Sequence, residues 1–200
     1  NPVTLVADND TVEVNEAALN VNGSTPGSTA ETNGGTLAVA GAVGYTLPGG
    51  GAGTYGTLTL NANGSYSYTL TTRYDSATAD NGTNTEIGRD VFTYTATDAN
   101  GNTITGTISV DIIDDVPTAR DDDAGLTEGG PLFVTFDVDT NDTPGADGTG
   151  SRTFAQLTGV YGNLTLNVDG TQTYTLTAAG QTAINALAPG ATLLDSFSYT

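Results

Sequence analysis

The stretch YGTLTLNANGSYSYTL, from Tyr55 to Leu70, returns as YGNLTLNVDGTQTYTL from Tyr161 to Leu176. In each copy, alternating apolar and polar residues flank an Asn-Gly or Asp-Gly pair, the pattern of two strands joined by a tight hairpin. That dipeptide predicts a type I′ turn, whose two central residues both need positive φ. A hairpin recurring at the spacing of a small domain predicts a tandem array of similar β modules, and tells against one enzyme built around one site.

The first repeat is expected over residues 1–115 and the second over 116–200. Repeat one opens with a strand near Val3–Val6, followed by ADND and TVEVNEAALNV. After a loop, GSTPGSTAETNGG, come a strand over Thr36–Val43, the hairpin, and a second loop, DSATADNGTNTEIG. Two closing strands follow, DVFTYTATD and TITGTISVDII, again joined through Asn-Gly. Repeat two restarts at DDVPTARDDDAGLTEGG, where Val116-Pro117 matches Asn1-Pro2 and Asp121–Asp123 match Asp8–Asp10. Strand PLFVTFDV, loop DTNDTPGADGTGS, a strand ending at Val160, the second hairpin and DSFSYT complete it. The hexamer DSFSYT corresponds to DVFTYT at Asp90–Thr95, so the second repeat is expected to stop before its final strand, as a fragment or an interrupted repeat of a parent sequence, with a strand supplied by a neighbour as the alternative. A sandwich without that strand leaves unpaired backbone and apolar surface open to another chain. Short strands at regular spacing with Gly-rich turns predict an all-β fold: tandem immunoglobulin/cadherin-like β-sandwiches. Only AAGQTAINALAPG has room for a short helical turn.

The residues missing from the chain exclude most chemistries. There is no Cys, His, Lys, Met or Trp, and the four basic residues are Arg73, Arg89, Arg120 and Arg152. Without Cys there is neither a disulfide framework nor a thiol nucleophile. Without His, the Ser-His-Asp triad and the usual zinc sites are impossible. Without Lys there is no Schiff base, P-loop or Lys–Asn isopeptide. A glycosidase would need one carboxyl of raised pKa in a cleft, whereas these acids gather in turns and linkers, so no enzyme is expected. Four Arg against 23 acids, a net charge of −19, exclude a nucleic-acid surface. The apolar run around Leu37–Val43 is too short to span a bilayer. The remaining partner for so many carboxylates is a hard cation, Ca²⁺.

Two acidic groups are candidates. Asp137, Asp139 and Asn141 have the spacing of an EF-hand's first positions, but Asp142 stands where the loop needs Gly and Gly148 where it needs Glu. An EF-hand is therefore excluded, although alternate strand residues can still gather oxygens with Asp142 and Asp147 around the Pro-Gly turn. Repeat one has Ser24 and Thr29 at those two places, so its site is expected to be lost. The linker is denser: Asp111, Asp114, Asp115, Asp121, Asp122 and Asp123, with Asp98 and Glu128 as expected spatial neighbours. Packed without a cation such carboxylates raise one another's pKa, so an interdomain Ca²⁺ site is expected there. A flexible acidic linker that merely solubilises the chain is the alternative. Tyr66, Tyr68, Tyr94 and Phe92 read as cross-strand and core aromatics.

The run YGTLTLNANGSYSYTL…GRDVFTYTATDANGNTITGTISVDIID resembles the VCBS repeat, and NDTPGADG resembles the extender repeats of large RTX adhesins of Gram-negative bacteria. The resemblance implies type I secretion, a place on the bacterial cell surface, and calcium-stiffened linkers between neighbouring repeats of one chain. It also implies a role in adhesion and biofilm formation, with host-cell or biofilm surface ligands bound through other domains. A module that binds glycan or protein through its own loops is the alternative function. TAAG at Thr177–Gly180 resembles a motif cut by a periplasmic cysteine protease in some of these adhesins, but reads more simply as the end of a repeat strand.

Overall fold

The computed structural model describes residues 4–20, 23–75, 84–148 and 150–200. The chain forms two compact units, Asn1–Pro117 with Pro144–Thr149, and Thr118–Thr143 with Gly150–Thr200. Unit 1 thus takes in a short segment from within the second repeat.

Unit 1 is a sandwich of two sheets. One has the order β1 (Asp10–Asn15), β7 (Thr103–Ile113), β6 (Thr85–Asp98), β3 (Ala42–Thr46). The β1–β7 pair is parallel; β6 runs antiparallel to both β7 and β3. The other sheet has the order β2 (Thr32–Thr36), β5 (Ser65–Leu70), β4 (Gly56–Leu60), all antiparallel. Alternation sets which side chains enter the core. Val12 and Val14 of β1, Phe92, Tyr94 and Ala96 of β6, and Ile108, Val110 and Ile112 of β7 meet Leu58, Tyr66, Tyr68 and Leu70 from the second sheet.

The hairpins lie where the sequence placed them, with a different turn. Among the described residues, none other than glycine has positive φ. In the first hairpin Gly64 N–H bonds Asn61 O, Asn61 N–H bonds Ser65 O, and Gly64 alone is left-handed, with φ of 89°. This is a type I turn closed by a glycine bulge. It recurs at Asn167–Thr171 with Gly170 and at Asp98–Asn102 with Gly101. The Asn or Asp before each glycine therefore supplies no left-handed backbone; Asn63 and Asp169 accept the N–H two residues on.

Several elements differ from the sequence reading. The opening strand begins at Asp10, and the described residues before it are not strand; Val3 lies outside the described residues. The expected strand Thr36–Val43 is broken by a gap at residues 37–41 between β2 and β3, and Thr32–Gly35, expected as loop, pair with β5. Glycines at 34 and 35 permit this, because a Cβ on Gly34 would sit 2.1 Å from Tyr66 O. Most of the second expected loop lies outside the described residues, and its end, Thr85–Gly88, is the start of β6.

Unit 2 holds one three-stranded sheet, ordered β8 (Phe133–Phe136), β10 (Gln172–Leu176), β9 (Gly162–Leu166). Its other layer is reduced to isolated bridges, Phe154 with Tyr199 and Thr118 with Thr143. Helix α1 (Ala178–Asn185) follows β10, with Thr177 Oγ1 as the N-cap accepting Gly180 N–H. TAAG is therefore a helix start, not a strand end. Gly180 is required there, since a Cβ would meet Tyr161 O at 1.8 Å.

One buried carboxylate ties the two sheets of unit 1 together. Asp90 of β6 accepts the successive N–H groups of Thr54, Tyr55 and Gly56, and the hydroxyl of Tyr68 at 2.7 Å. Unit 2 repeats the arrangement with Asp195, the N–H groups of Val160, Tyr161 and Gly162, and Tyr174 Oη. Burial works to raise the Asp195 carboxyl, yet these bonds outweigh it and hold it below the usual carboxylate range. Removing the acceptor strands every donor around it. Asp90→Ala is expected to cost unit 1 about 3 kcal/mol or more and to speed amide exchange in β4 and β5. Asp195→Ala should act on β9 and β10 alone. Exchange rates in β4 and β5 unchanged by Asp90→Ala would show that the bridge carries no stability.

Candidate cation site

Strand β1 alternates inward residues Val12, Val14 and then Glu16, so the same phase that buries two valines also buries an acid. Glu16 opens a single 3-10 turn, Glu16–Ala18, for which the Asn15 side chain accepts Ala17 N–H. The Glu16 side chain is fully buried. Tyr74 N–H donates to Oε1, while Oε2 has no hydrogen-bond partner. Burial pushes the Glu16 carboxyl up to about 8 and the negative fields of Asp147 and Asp114 add to the rise, against the opposing backbone N–H groups of Tyr74 and Asp115.

Those neighbours come from two segments of unit 1. Asp114 and Asp115 follow β7 directly and are both buried. Asp114 is held by its backbone, N–H to Asn84 O at 2.8 Å. The Asp115 carboxylate is filled with donors: Ser24 N at 2.8 Å, Ser24 Oγ at 2.6 Å and Ala146 N at 3.0 Å. Gly145 lies against the same backbone, where a Cβ would be 2.5 Å from Asp115 O. Asp147 is thereby set beside Arg73, whose Nε is 3.3 Å from Asp147 Oδ1 and 2.9 Å from Asp75 Oδ1. Burial first, and then Asp75, push the Asp147 carboxyl up to about 6, with Arg73 opposing them.

The other expected ligands are distributed differently. Asp98 caps the β6–β7 turn, accepting Asn100 N, Asn102 N and Asn102 Nδ2. It lies at the opposite end of the β6–β7 ladder from Asp114, because Thr97 pairs with Thr103 and Thr85 with Ile113. The expected neighbourhood of Asp98 and Asp114 is thus corrected. Asp111 accepts Gly88 N–H at the β6 irregularity. Asp147 is set among the carboxylates of unit 1, and Asp142 accepts Arg120 N–H within unit 2. Ser24 acts as a donor to Asp115.

Within unit 2, Asp122, Asp142 and the backbone of Arg120 and Val138 surround Tyr199 Oη at 3.1–3.4 Å. Burial raises the Asp122 carboxyl, and the Tyr199 hydrogen bond opposes the rise that Asp142, Asp121 and Asp137 reinforce. Asp137 and Asp139 face Arg152, at 3.8 and 3.1 Å. Asn141 Nδ2 donates to Asp121 O. Asp123 and Glu128 are exposed.

Glu16 and Asp75 are absent from the residues singled out by sequence. Glu16 carried a signal: an acid in the inward phase of an alternating strand. The donor set around it is wholly hard oxygen, and the unpartnered Glu16 Oε2 fits a hard cation. Among the described residues, no three carboxylates are grouped closely enough to hold a metal ion by themselves. Among the described residues, no helix is long and apolar enough to cross a membrane.

A sequence model of the bacterial cadherin-like domain matches residues 1–113. No curated protein matches the chain. Matching solved structures include protocadherin gamma B2 extracellular cadherin domains 3–6, at 15% identity over 92% of this chain and 41% of that one, TM-score 0.37. Another is the protocadherin gammaB7 EC3-6 cis-dimer, at 12% identity over 88% of this chain and 38% of that one, TM-score 0.36. The chain thus spans about two-fifths of the length of these structures.

The raised acids fix a pH dependence. Glu16 moves from 4.5 to about 8 and Asp147 from 3.8 to about 6, so across those intervals the folded state binds more protons than the unfolded. Stability in chelator should therefore fall as pH rises from about 4 to 8. Glu16→Gln should flatten the slope and raise the melting temperature at pH 8. A Glu16→Gln melting profile parallel to wild type would show that Glu16 does not titrate in this range.

Proposed function

Because the chain belongs to the bacterial cadherin-like domain family, we propose that it is a calcium-stiffened extender segment of a large bacterial surface adhesin of the VCBS/RTX type. In this reading it is secreted by the type I route and projects ligand-binding domains for adhesion and biofilm formation. The observation that carries the proposal is Glu16, fully buried, with one carboxylate oxygen unpartnered and two further acids adding their negative fields. Calcium would bind at Glu16 and draw Asp114 and Asp147 towards it, with Asp75 at the rim, because these acids are not grouped as a ready-made site. The ion supplies positive charge that like-charged carboxylates cannot supply for one another. Asp115 sets the geometry: its bonds to Ser24 and Ala146 fix the backbone on both sides of the acids. Binding and ordering are then one event, and stiffness follows from it. Asp121, Asp122, Asp123, Glu128, Asp139 and Asp142 remain candidates for a second site in unit 2.

Calcium at about 1 mM against a Kd of about 0.1 mM should stabilise unit 1 by about 1.4 kcal/mol per site. Melting and limited trypsin digestion at Arg73 report it, because Arg73 lies between Asp75 and Asp147. Calcium should raise the melting temperature and slow cleavage, magnesium should do less, and Glu16→Ala should abolish both effects. Identical melting and cleavage in calcium and in chelator would reject the site. A maximum dimension in solution scattering that is the same in calcium and in chelator would reject the extender and favour a module binding through its loops.

A further inference from the structure

Three Asn-Gly pairs lie wholly within the described residues: Asn33-Gly34, Asn63-Gly64 and Asn100-Gly101. In such a pair the glycine nitrogen, with no Cβ beside it, is open to attack the preceding side-chain amide. A bond forms between that nitrogen and Asn Cγ, the bond from Cγ to the side-chain nitrogen breaks, and ammonia leaves. Water then opens the five-membered imide to aspartate or isoaspartate. The step needs the side-chain carbonyl held over a nitrogen that is not committed elsewhere.

Two of the pairs fail that condition. Gly64 N–H donates to Asn61 O at 2.9 Å, while Asn63 Oδ1 is turned to Ser65, accepting its N–H at 3.1 Å and its hydroxyl at 2.8 Å. Gly101 N–H donates to Asp98 O at 3.1 Å, and Asn100 N–H to Asp98 Oδ1 at 2.8 Å, so the turn fixes both backbone groups.

Asn33-Gly34 meets it. Strand β2 is the edge of its sheet, and Leu70 N–H donates to Glu31 O, so residues 31, 33 and 35 turn their backbone groups to β5. Gly34 N–H therefore points to the open edge, where it donates to Asn33 Oδ1 at 2.8 Å. Both residues are exposed to water. The fold itself demands this glycine, because a Cβ there would meet Tyr66 O.

Asn33 also ties the two sheets of unit 1 together: its Nδ2 donates to Glu13 O on β1 at 2.8 Å. Either product lacks that donor. Aspartate sets a carboxylate against the Glu13 carbonyl, close to Asp10, whose Oδ2 would lie 3.1 Å from a Cβ on Gly35. Isoaspartate lengthens the main chain and throws Glu31 and Thr32 out of step with Leu70 and Thr69. We propose that Asn33 is a self-modification site, at which edge strand β2 converts its own side chain and loosens from β1. This stands independently of the calcium reading.

The test ages the full 200-residue chain in mildly alkaline buffer and maps conversion by peptide mass, with isoaspartate and aspartate separated by chromatography. In the folded chain Asn33 should convert about tenfold faster than Asn63 and Asn100, and in denaturant it should lose that lead. Amide exchange in residues 30–36 should be faster in the converted fraction than in the fresh chain, and Asn33→Asp should reproduce the aspartate share of that change. Conversion of Asn33 no faster than that of Asn63 and Asn100 in the folded chain overturns the proposal. A lead that persists in denaturant also overturns it, because the local sequence and not the fold would then select the site. Exchange in residues 30–36 unchanged by conversion likewise overturns it.

Discussion

The Asp90 carboxylate is the interaction on which the sandwich of unit 1 depends. It sits on β6 in one sheet and receives the hydroxyl of Tyr68 from β5 in the other, together with three successive N–H groups that lead into β4. A buried carboxylate is costly unless its lone pairs are satisfied, and satisfied ones fix position, because each donor must arrive from one direction. The β4–β5 hairpin therefore cannot slide along β6 without losing several bonds at once. Gly53 belongs to the same lock: a Cβ there would lie 2.1 Å from Asp90 Oδ2. Asp195 makes the same bonds in unit 2, with Gly159 in the place of Gly53. Unit 2 keeps this lock and its hairpin although its second layer is only bridges.

Glu16 is the contrasting case. It too is an acid in an inward phase, but its oxygens are not filled: Tyr74 N–H reaches one, the other makes no hydrogen bond, and burial with the fields of Asp147 and Asp114 outweighs the N–H groups nearby. Asp90 is thus complete within the protein, whereas Glu16 is complete only with a proton or a cation. The neighbouring Asp115 resembles Asp90, with Ser24 and Ala146 as donors, and orders the chain around the incomplete acids. One cluster thus holds two kinds of carboxylate, and hydrogen-bond donors separate them. Arg73 meets Asp75 and Asp147 at the half-exposed rim, where an ion pair contributes little and yields easily.

The amino-acid sequence by itself determined the two hairpins, most of β6 and β7 with their inward faces, and the repetition. Alternation is a local property, so β5, β7 and the paired hairpins could be read directly, and Phe92, Tyr94, Tyr66 and Tyr68 were legible as core. The absence of His, Cys and Lys excluded whole chemistries by residue type alone. The buried acids were also written there, as Val12-Val14-Glu16 and Asp90-Phe92-Tyr94, but an acid in an apolar phase reads as an interruption until its donors are known. Tertiary structure decided what those donors are, because they come from distant segments: Tyr74 for Glu16, Tyr68 for Asp90, Ser24 for Asp115. It also decided that Asp98 and Asp114 stand at opposite ends of one ladder, and that Asp147 joins unit 1 while Asp142 faces Tyr199. Turn type was likewise settled in space: Asn-Gly permits a left-handed pair, but the ladder closed on a type I turn with only the glycine left-handed. Spacing along a chain fixes which face a side chain takes; which charges meet depends on how the faces are folded together.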